Sequence, residues 1–132
     1  MTEPIPQFRV ARPTDRLDAC VKFYTDGLGF VVLGSFRDHE GFDGVMLGIA
    51  GAPYHLELTH ARGHVVGRAP TQDHLVVLYL PERDVFDASV ERMKRAGYAP
   101  VTSFNPYWER RGVTFEDPDG YRVVLQNDAW TL

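Results

Sequence analysis

Five histidines, one cysteine and a scatter of carboxylates are the side chains of this 132-residue chain that could ligate a metal, attack a substrate or move a proton. Leu17, Cys20, Val21, Tyr24 and Leu28 recur at helical spacing, so Cys20 lies on an apolar stripe and reads as a small core residue. A reactive thiol needs an electropositive, partly exposed setting, and nothing near Cys20 offers one. A lone cysteine also excludes an intrachain disulfide and any Cys-based metal cluster. No Gly-rich phosphate loop stands in a strand-turn-helix setting, and no Ser or Cys nucleophile sits in a recognisable elbow. Glu116 and Asp117 adjoin in a turn and point to opposite sides, which does not suit paired acid–base work. His55 and Glu57 alternate onto one face of the run Tyr54-His55-Leu56-Glu57-Leu58-Thr59. His39 beside Glu40, and His60 and His64 flanking a linker, read as surface residues.

These side chains need elements to position them. A 44% apolar and 24% charged composition is that of an ordinary globular domain. At this length it is one domain, or two small modules sharing a core. The net charge of −4, with Glu109 beside Arg110-Arg111 and Glu91 beside Arg92, Lys94 and Arg95, argues weakly against a nucleic-acid partner. No apolar run approaches the about 18 residues that a membrane span needs. The start Met1-Thr2-Glu3-Pro4-Ile5-Pro6-Gln7 lacks the basic and apolar regions of a signal peptide, so a cytoplasmic location is the expectation.

In chain order, residues 7–12 read as a strand ended by Pro13, and Thr14 or Asp15 is placed to cap the helix that follows. Gly27 and Gly29 stop that helix. Strands are expected at 30–36, 44–49 and 54–59. Residues 61–72 have no sustained period and read as a linker. The order then restarts with a strand at 73–80 and a helix with Phe86, Ser89, Val90 and Met93 on one face, ended by Gly97. Strands near 99–104, 106–110, 112–116 and 121–126 complete the second copy. The two helices match in letters, LDACVK at 17–22 against FDASVE at 86–91. The element order recurs as two βαβββ modules, about 7–60 and about 73–127, which is the stronger sign of a repeat.

The last hairpin is the best defined piece. Val113 and Phe115, then Tyr121, Val123 and Leu125, alternate on either side of Asp117-Pro118-Asp119-Gly120. The other face of its second strand carries Arg122, Val124 and Gln126, which would line a ligand cavity. This F-x-DPDG-x-R pattern closing a chain of this length resembles the vicinal oxygen chelate superfamily. That group includes glyoxalase I, extradiol dioxygenases, fosfomycin-resistance enzymes and bleomycin-binding proteins. LDACVKFYTDGLGF is similar to its first-helix motif and HLELT to its fourth-strand motif. The resemblance covers nearly the whole chain. It implies an α+β fold in which two βαβββ modules curl into a half-barrel around a cavity, within one chain or across a homodimer.

The resemblance also assigns positions. Metal-dependent members hold one divalent ion with up to four His and Glu side chains from the first and last strands of each module. Such donors reach a metal at about 2.0–2.2 Å and leave open sites for a substrate with adjacent oxygens. Glu57 matches the carboxylate of the first module and His74 the histidine of the second. Arg9 stands where the first histidine is expected and Val124 where the last glutamate is expected. Anchoring on Thr14 and Asp15 instead would put Phe8 there. Arg9 is preferred, because it leaves Phe8 and Val10 on the helix side and Arg9 toward the cavity. His55, on the Glu57 face, could substitute as a ligand. Phe36, Phe42, Tyr54, Tyr107 and Trp108 fall near strand ends or loops, and Trp108 is expected at the cavity mouth.

Three functions follow from this pattern. The first is a small-molecule binder that uses Arg9, Glu57, His74, Trp108 and Val124 without a complete metal site. The second is a glyoxalase- or dioxygenase-type lyase or oxygenase with an incomplete zinc, nickel, manganese or iron site on Glu57 and His74. In it Glu57 would act as base and His74 as ligand or acid. The third is a metal-independent enzyme in which Arg9 polarises an anion or carbonyl and Glu57 or His74 moves the proton. The replaced ligands favour the first and third.

Overall fold

The computed structural model describes residues 5–131. Among the described residues seven strands form two sheets. β1 (Phe8–Pro13), β2 (Val31–His39), β3 (Phe42–Gly48) and β4 (Tyr54–Ala61) make the first, in the order β1-β4-β3-β2. β5 (Leu75–Tyr79), β6 (Gly112–Glu116) and β7 (Arg122–Gln126) make the second, in the order β5-β7-β6. In each sheet the first strand runs parallel to the last, and the other pairs are antiparallel. The chain is therefore α+β, built of two βαβββ modules.

The modules differ after the helix. The first has the nine-residue β2 there; the second has only a bridge from Val101 to Thr114. The strand expected at 106–110 is instead a 3-10 turn, Pro106–Glu109. Pro106 cannot donate to a ladder, and the Asn105 side chain accepts from the Tyr107 N–H at 3.0 Å, which caps a turn rather than extending a strand.

Helix α1 (Leu17–Lys22) continues into a π-helical turn at Phe23–Gly27. Neither expected cap forms at its start. Asp15 instead accepts from the Val66 and Gly67 N–H groups at 2.9 and 2.8 Å, which lowers its pKa and ties down the segment between the modules. Thr14 accepts from Arg16 N–H at 3.0 Å. Helix α2 (Arg83–Arg95) buries Phe86, Ser89 and Met93, and Ser89 donates back to the Val85 carbonyl at 2.8 Å. No helix among the described residues is long and apolar enough to cross a membrane.

One core joins both modules. Cys20, Phe23 and Tyr24 of the first helical segment meet Leu47, Leu56 and Leu58 of the first sheet. The same cluster takes in Phe86 and Met93 of α2 and Phe115, Val123 and Leu125 of the second sheet. Both sheets thus turn their helix side inward and their other face away from this core.

A polar clasp crosses the module boundary inside it. Asp117 opens the turn of the last hairpin, and its two oxygens divide the work. Oδ1 accepts from the Asp119 and Tyr121 N–H groups at 2.9 and 3.0 Å, which shapes the turn. Oδ2 accepts from the Tyr24 hydroxyl at 2.8 Å and lies 3.7 Å from Arg12 Nη1. Burial raises the Asp117 pKa, and Tyr24, the two N–H groups and Arg12 offset part of that rise. Arg12 also lies 3.9 Å from the Tyr121 ring centroid. Cys20 donates to Asp119 Oδ2 at 3.2 Å, and burial pushes its thiol up to about 12, so it is an inert core thiol.

Candidate functional site

The outer face of the first sheet is read directly from its register. Rows of neighbouring residues cross it: Arg9, His55 and Gly48; then Ala11, Glu57 and Met46; then Pro13, Thr59 and Gly44. The alternate rows, Val10-Leu56-Leu47 and Arg12-Leu58-Val45, face the helices. Arg9 therefore shares a face with Glu57, and Phe8 points to the other side.

Arg9 forms the centre of a hydrogen-bonded chain. Its Nη1 is 3.3 Å from Glu57 Oε2, and its Nε donates to His55 Nε2 at 2.8 Å. With Nε2 accepting, the imidazole is neutral and carries its proton on Nδ1. The Gln7 amide nitrogen lies 2.7 Å from Nδ1, and turning the amide end for end brings its oxygen there to accept the Nδ1 proton. The Arg9 side chain stays 46% exposed and that of Glu57 14%. The pair is wet on one side, so it is not a buried ion pair with its full desolvation cost.

This donor set does not fit a metal centre. Among the described residues no group of three or more His, Cys, Asp or Glu side chains lies close enough to hold an ion. The two donors that do share a face, His55 and Glu57, both already bond to a guanidinium. A cation there repels a divalent ion rather than helping to hold it.

The other expected site residues belong to the second sheet. His74 stands just before β5, exposed, with Thr71 Oγ1 2.9 Å from Nδ1 and its ring edge-on to Tyr121 at 6.0 Å between centroids. Val124 is fully buried on the outer face, in the row Val77-Val124-Thr114. No hydrogen bond or ion pair among the described residues links Arg9 or Glu57 to His74. The four positions thus fall into two groups, one on each sheet. Trp108 is half-buried in the 3-10 turn, with its ring edge-on to Tyr107 at 4.9 Å. Its carbonyl passes over the second sheet at Gly112, where a Cβ would lie 2.5 Å from that oxygen. Of the other aromatics, Phe36 packs its ring over Gly44, while Phe42, Tyr54 and Tyr107 are exposed.

A crevice of about 750 Å³ separates the two modules along β1 and β5. Phe8, Val10, Ile49 and Tyr54 line it from the first module, and Val76, Leu78 and Val85 from the second, with His55 and Arg92 as polar members. In the sheet order both β1 and β5 are edge strands.

Sequence reasoning did not find this crevice, the bond from Arg9 to His55, or the part played by Gln7. The crevice depends on how the two modules are set against each other. The Arg9–His55 bond had a signal, because parallel pairing of the first and fourth strands puts residues 9 and 55 side by side.

Known proteins match this architecture. The family model described as the YycE-like N-terminal domain matches residues 8–59, and the YycE-like C-terminal domain matches residues 73–127. Protein YycE of Bacillus subtilis is 46% identical over 121 residues, 92% of this chain and 87% of that one. The chain belongs to the YycE-like family. The crystal structure of a YycE protein from Bacillus subtilis superposes with a TM-score of 0.88 at 43% identity, covering 96% of this chain and 93% of that one. Glyoxalase I of Leishmania major shares the fold, with a TM-score of 0.72 at 21% identity over 96% of this chain and 88% of that one. So does an antibiotic binding protein from a Streptomyces species, with a TM-score of 0.67 at 23% identity over 96% and 97%. This chain thus has the vicinal oxygen chelate fold.

Proposed function

We propose that this YycE-like chain binds a small molecule on the outer face of its first sheet, with Arg9 as the recognising group and without a complete metal site. The observation that carries this reading is the Arg9 guanidinium itself. It spans His55 and Glu57 at the position where metal-dependent relatives of the fold are expected to place a histidine, and nearly half of its surface stays open. A guanidinium held at two points recognises a carboxylate or polarised carbonyl, with its planar fork already set. Met46 beside it supplies apolar surface for the rest of the ligand. A protein of this fold that binds an antibiotic is in keeping with a binding role.

A second copy of the chain completes the cavity. The two outer faces point away from one core, so a half-barrel that joins Arg9 and Glu57 to His74 and Val124 takes them from different protomers. The edges of β1 and β5, with Phe8, Val10 and Tyr79 exposed along them, supply the apolar surface for that contact.

Native mass spectrometry of the purified protein and of Arg9→Ala tests both parts. A dimer carrying a small-molecule adduct that Arg9→Ala loses is the expected spectrum. A ligand-free monomer, or an adduct retained in full by Arg9→Ala, would overturn the reading.

A further inference from the structure

The outer face of the second sheet is not open like the first. Residues 102–111 lie over it. Arg122 Nη1 donates to the Thr102 carbonyl at 2.9 Å, and the Trp108 carbonyl rests over Gly112. Beneath this cover, Thr114 is 2% and Gln126 3% exposed. Thr114 Oγ1 and Gln126 Oε1 are buried and meet no hydrogen-bonding partner among the described residues. They flank Val124 on one face, in adjacent rows of β6 and β7. Buried polar atoms without partners are rare, because each forfeits its bonds to water and gains none in return. Two such groups side by side are a cost that binding would remove.

We infer that the outer face of the second sheet is a binding site for an uncharged hydrogen-bonding group, a carboxamide or hydroxyl, and that segment 102–111 is its cover. This rests on the reading of the outer faces as ligand faces, and it names the part of a ligand that the second sheet takes. The group must be uncharged. Arg122, the cation of this face, is already matched by Glu116 Oε2 at 3.1 Å, and Val77 and Val124 flank the two free polar atoms. A charge brought under the cover would be stripped of water with no counter-charge to meet it. A carboxamide supplies a donor for the Gln126 oxygen and an acceptor for the Thr114 hydroxyl. An aromatic or aliphatic body fits against the two valines. Gly112 lets the cover and the Gln126 amide come close to the sheet, since a Cβ there would lie 2.5 Å from the Trp108 carbonyl and 2.6 Å from Gln126 Oε1. The cover is held by the Val101 bridge, with its N–H donating to the Thr114 carbonyl at 2.8 Å, by the Arg122 contact, and at its end by Arg111, whose carbonyl accepts from the Asn127 N–H and whose Nε donates to the Asn127 carbonyl, both at 2.8 Å. Opening it breaks no strand.

Titration of the ¹⁵N-labelled protein with benzamide, benzoate and toluene tests this. Benzamide should shift the Thr114 backbone, the Gln126 side-chain amide and residues 102–111 saturably. Gln126→Leu should weaken that binding about tenfold or more, as a lost buried hydrogen-bond partner does. Lys94→Ala, exposed on α2 and away from both outer faces, should leave it unchanged; these shifts are read apart from the Arg9-dependent adduct, which separates failure here from failure of the Arg9 face. Thr114→Val should melt no lower than the parent, because an unpartnered hydroxyl holds nothing. Equal shifts from benzoate or toluene, no saturable shift in the parent, or benzamide binding that survives Gln126→Leu would overturn the site. So would a lower melting temperature for Thr114→Val, which would show that the hydroxyl already has a partner.

Discussion

The two sheets of this chain share one plan and differ on their outer faces. In the first module the residues after the helix form β2, and the outer face stays open with Arg9, His55 and Glu57 on it. In the second module the matching residues fold over the sheet, and Val124, Thr114 and Gln126 are buried beneath them. The helix-facing rows are apolar in both except for Arg12, which joins the clasp with Asp117, because both serve the same core. The repeat is therefore preserved where packing requires it and has diverged where solvent or a ligand sets the demand.

The difference can exist only if the common core holds both modules together, so the largest effect is expected from cutting the clasp. Asp117→Ala removes the acceptor of Tyr24, Asp119 and Tyr121 and leaves the Tyr24 hydroxyl and Arg12 without their shared partner. A loss of about 3 kcal/mol is expected in urea unfolding at pH 7. A loss below about 1 kcal/mol would show that the modules do not depend on this contact.

The open face should be far less sensitive. Arg9→Ala, Glu57→Ala and the double variant should each lose about 1 kcal/mol or less, with a small coupling in the double-mutant cycle, because water reaches the pair. A coupling of several kcal/mol would mean that water does not reach the pair in solution.

The covered face can be sharpened through Glu109. Its Oε1 accepts from Ser103 N–H and Oγ at 2.6 and 2.9 Å, which stiffens the cover and lowers the Glu109 pKa. Glu109→Ala should speed amide exchange in residues 102–111 and leave β2 unchanged. Equal protection in both proteins would show that the cover is fixed by its packing on the sheet.

The smallest effect is one of pH. Burial raises the Asp117 pKa in the folded state, so folding strengthens proton binding there. Its stabilising contribution is fully present below the unfolded pKa and is lost as pH rises through the folded one. As pH falls from 7 toward the ordinary carboxylate range the parent should therefore gain melting temperature relative to Asp117→Asn. A relative loss on acidification would mean that Tyr24, Arg12 and the turn N–H groups outweigh burial.

Local pattern was enough to read the strands that carry the site. Alternation in the fourth strand sends Leu56 and Leu58 to the core and leaves His55 and Glu57 outside, and the helix stripe Phe86, Ser89 and Met93 is buried. Reading failed where a distant partner decides. Asp15 reads as a helix cap, yet it is taken by Val66 and Gly67, some fifty residues on. Residues 106–110 read as a strand by analogy with the first module, but Pro106 and Asn105 make a turn. The clasp between Arg12, Tyr24 and Asp117 leaves no trace in local spacing, since it depends on how the modules pack.

Metal content puts the most direct question to the Arg9 face. Elemental analysis of protein purified without chelator should find zinc, nickel, manganese and iron together far below one equivalent per chain. The guanidinium that bonds to His55 and Glu57 occupies their donor atoms and repels a divalent ion. Near one equivalent of any of these metals would contradict recognition by Arg9.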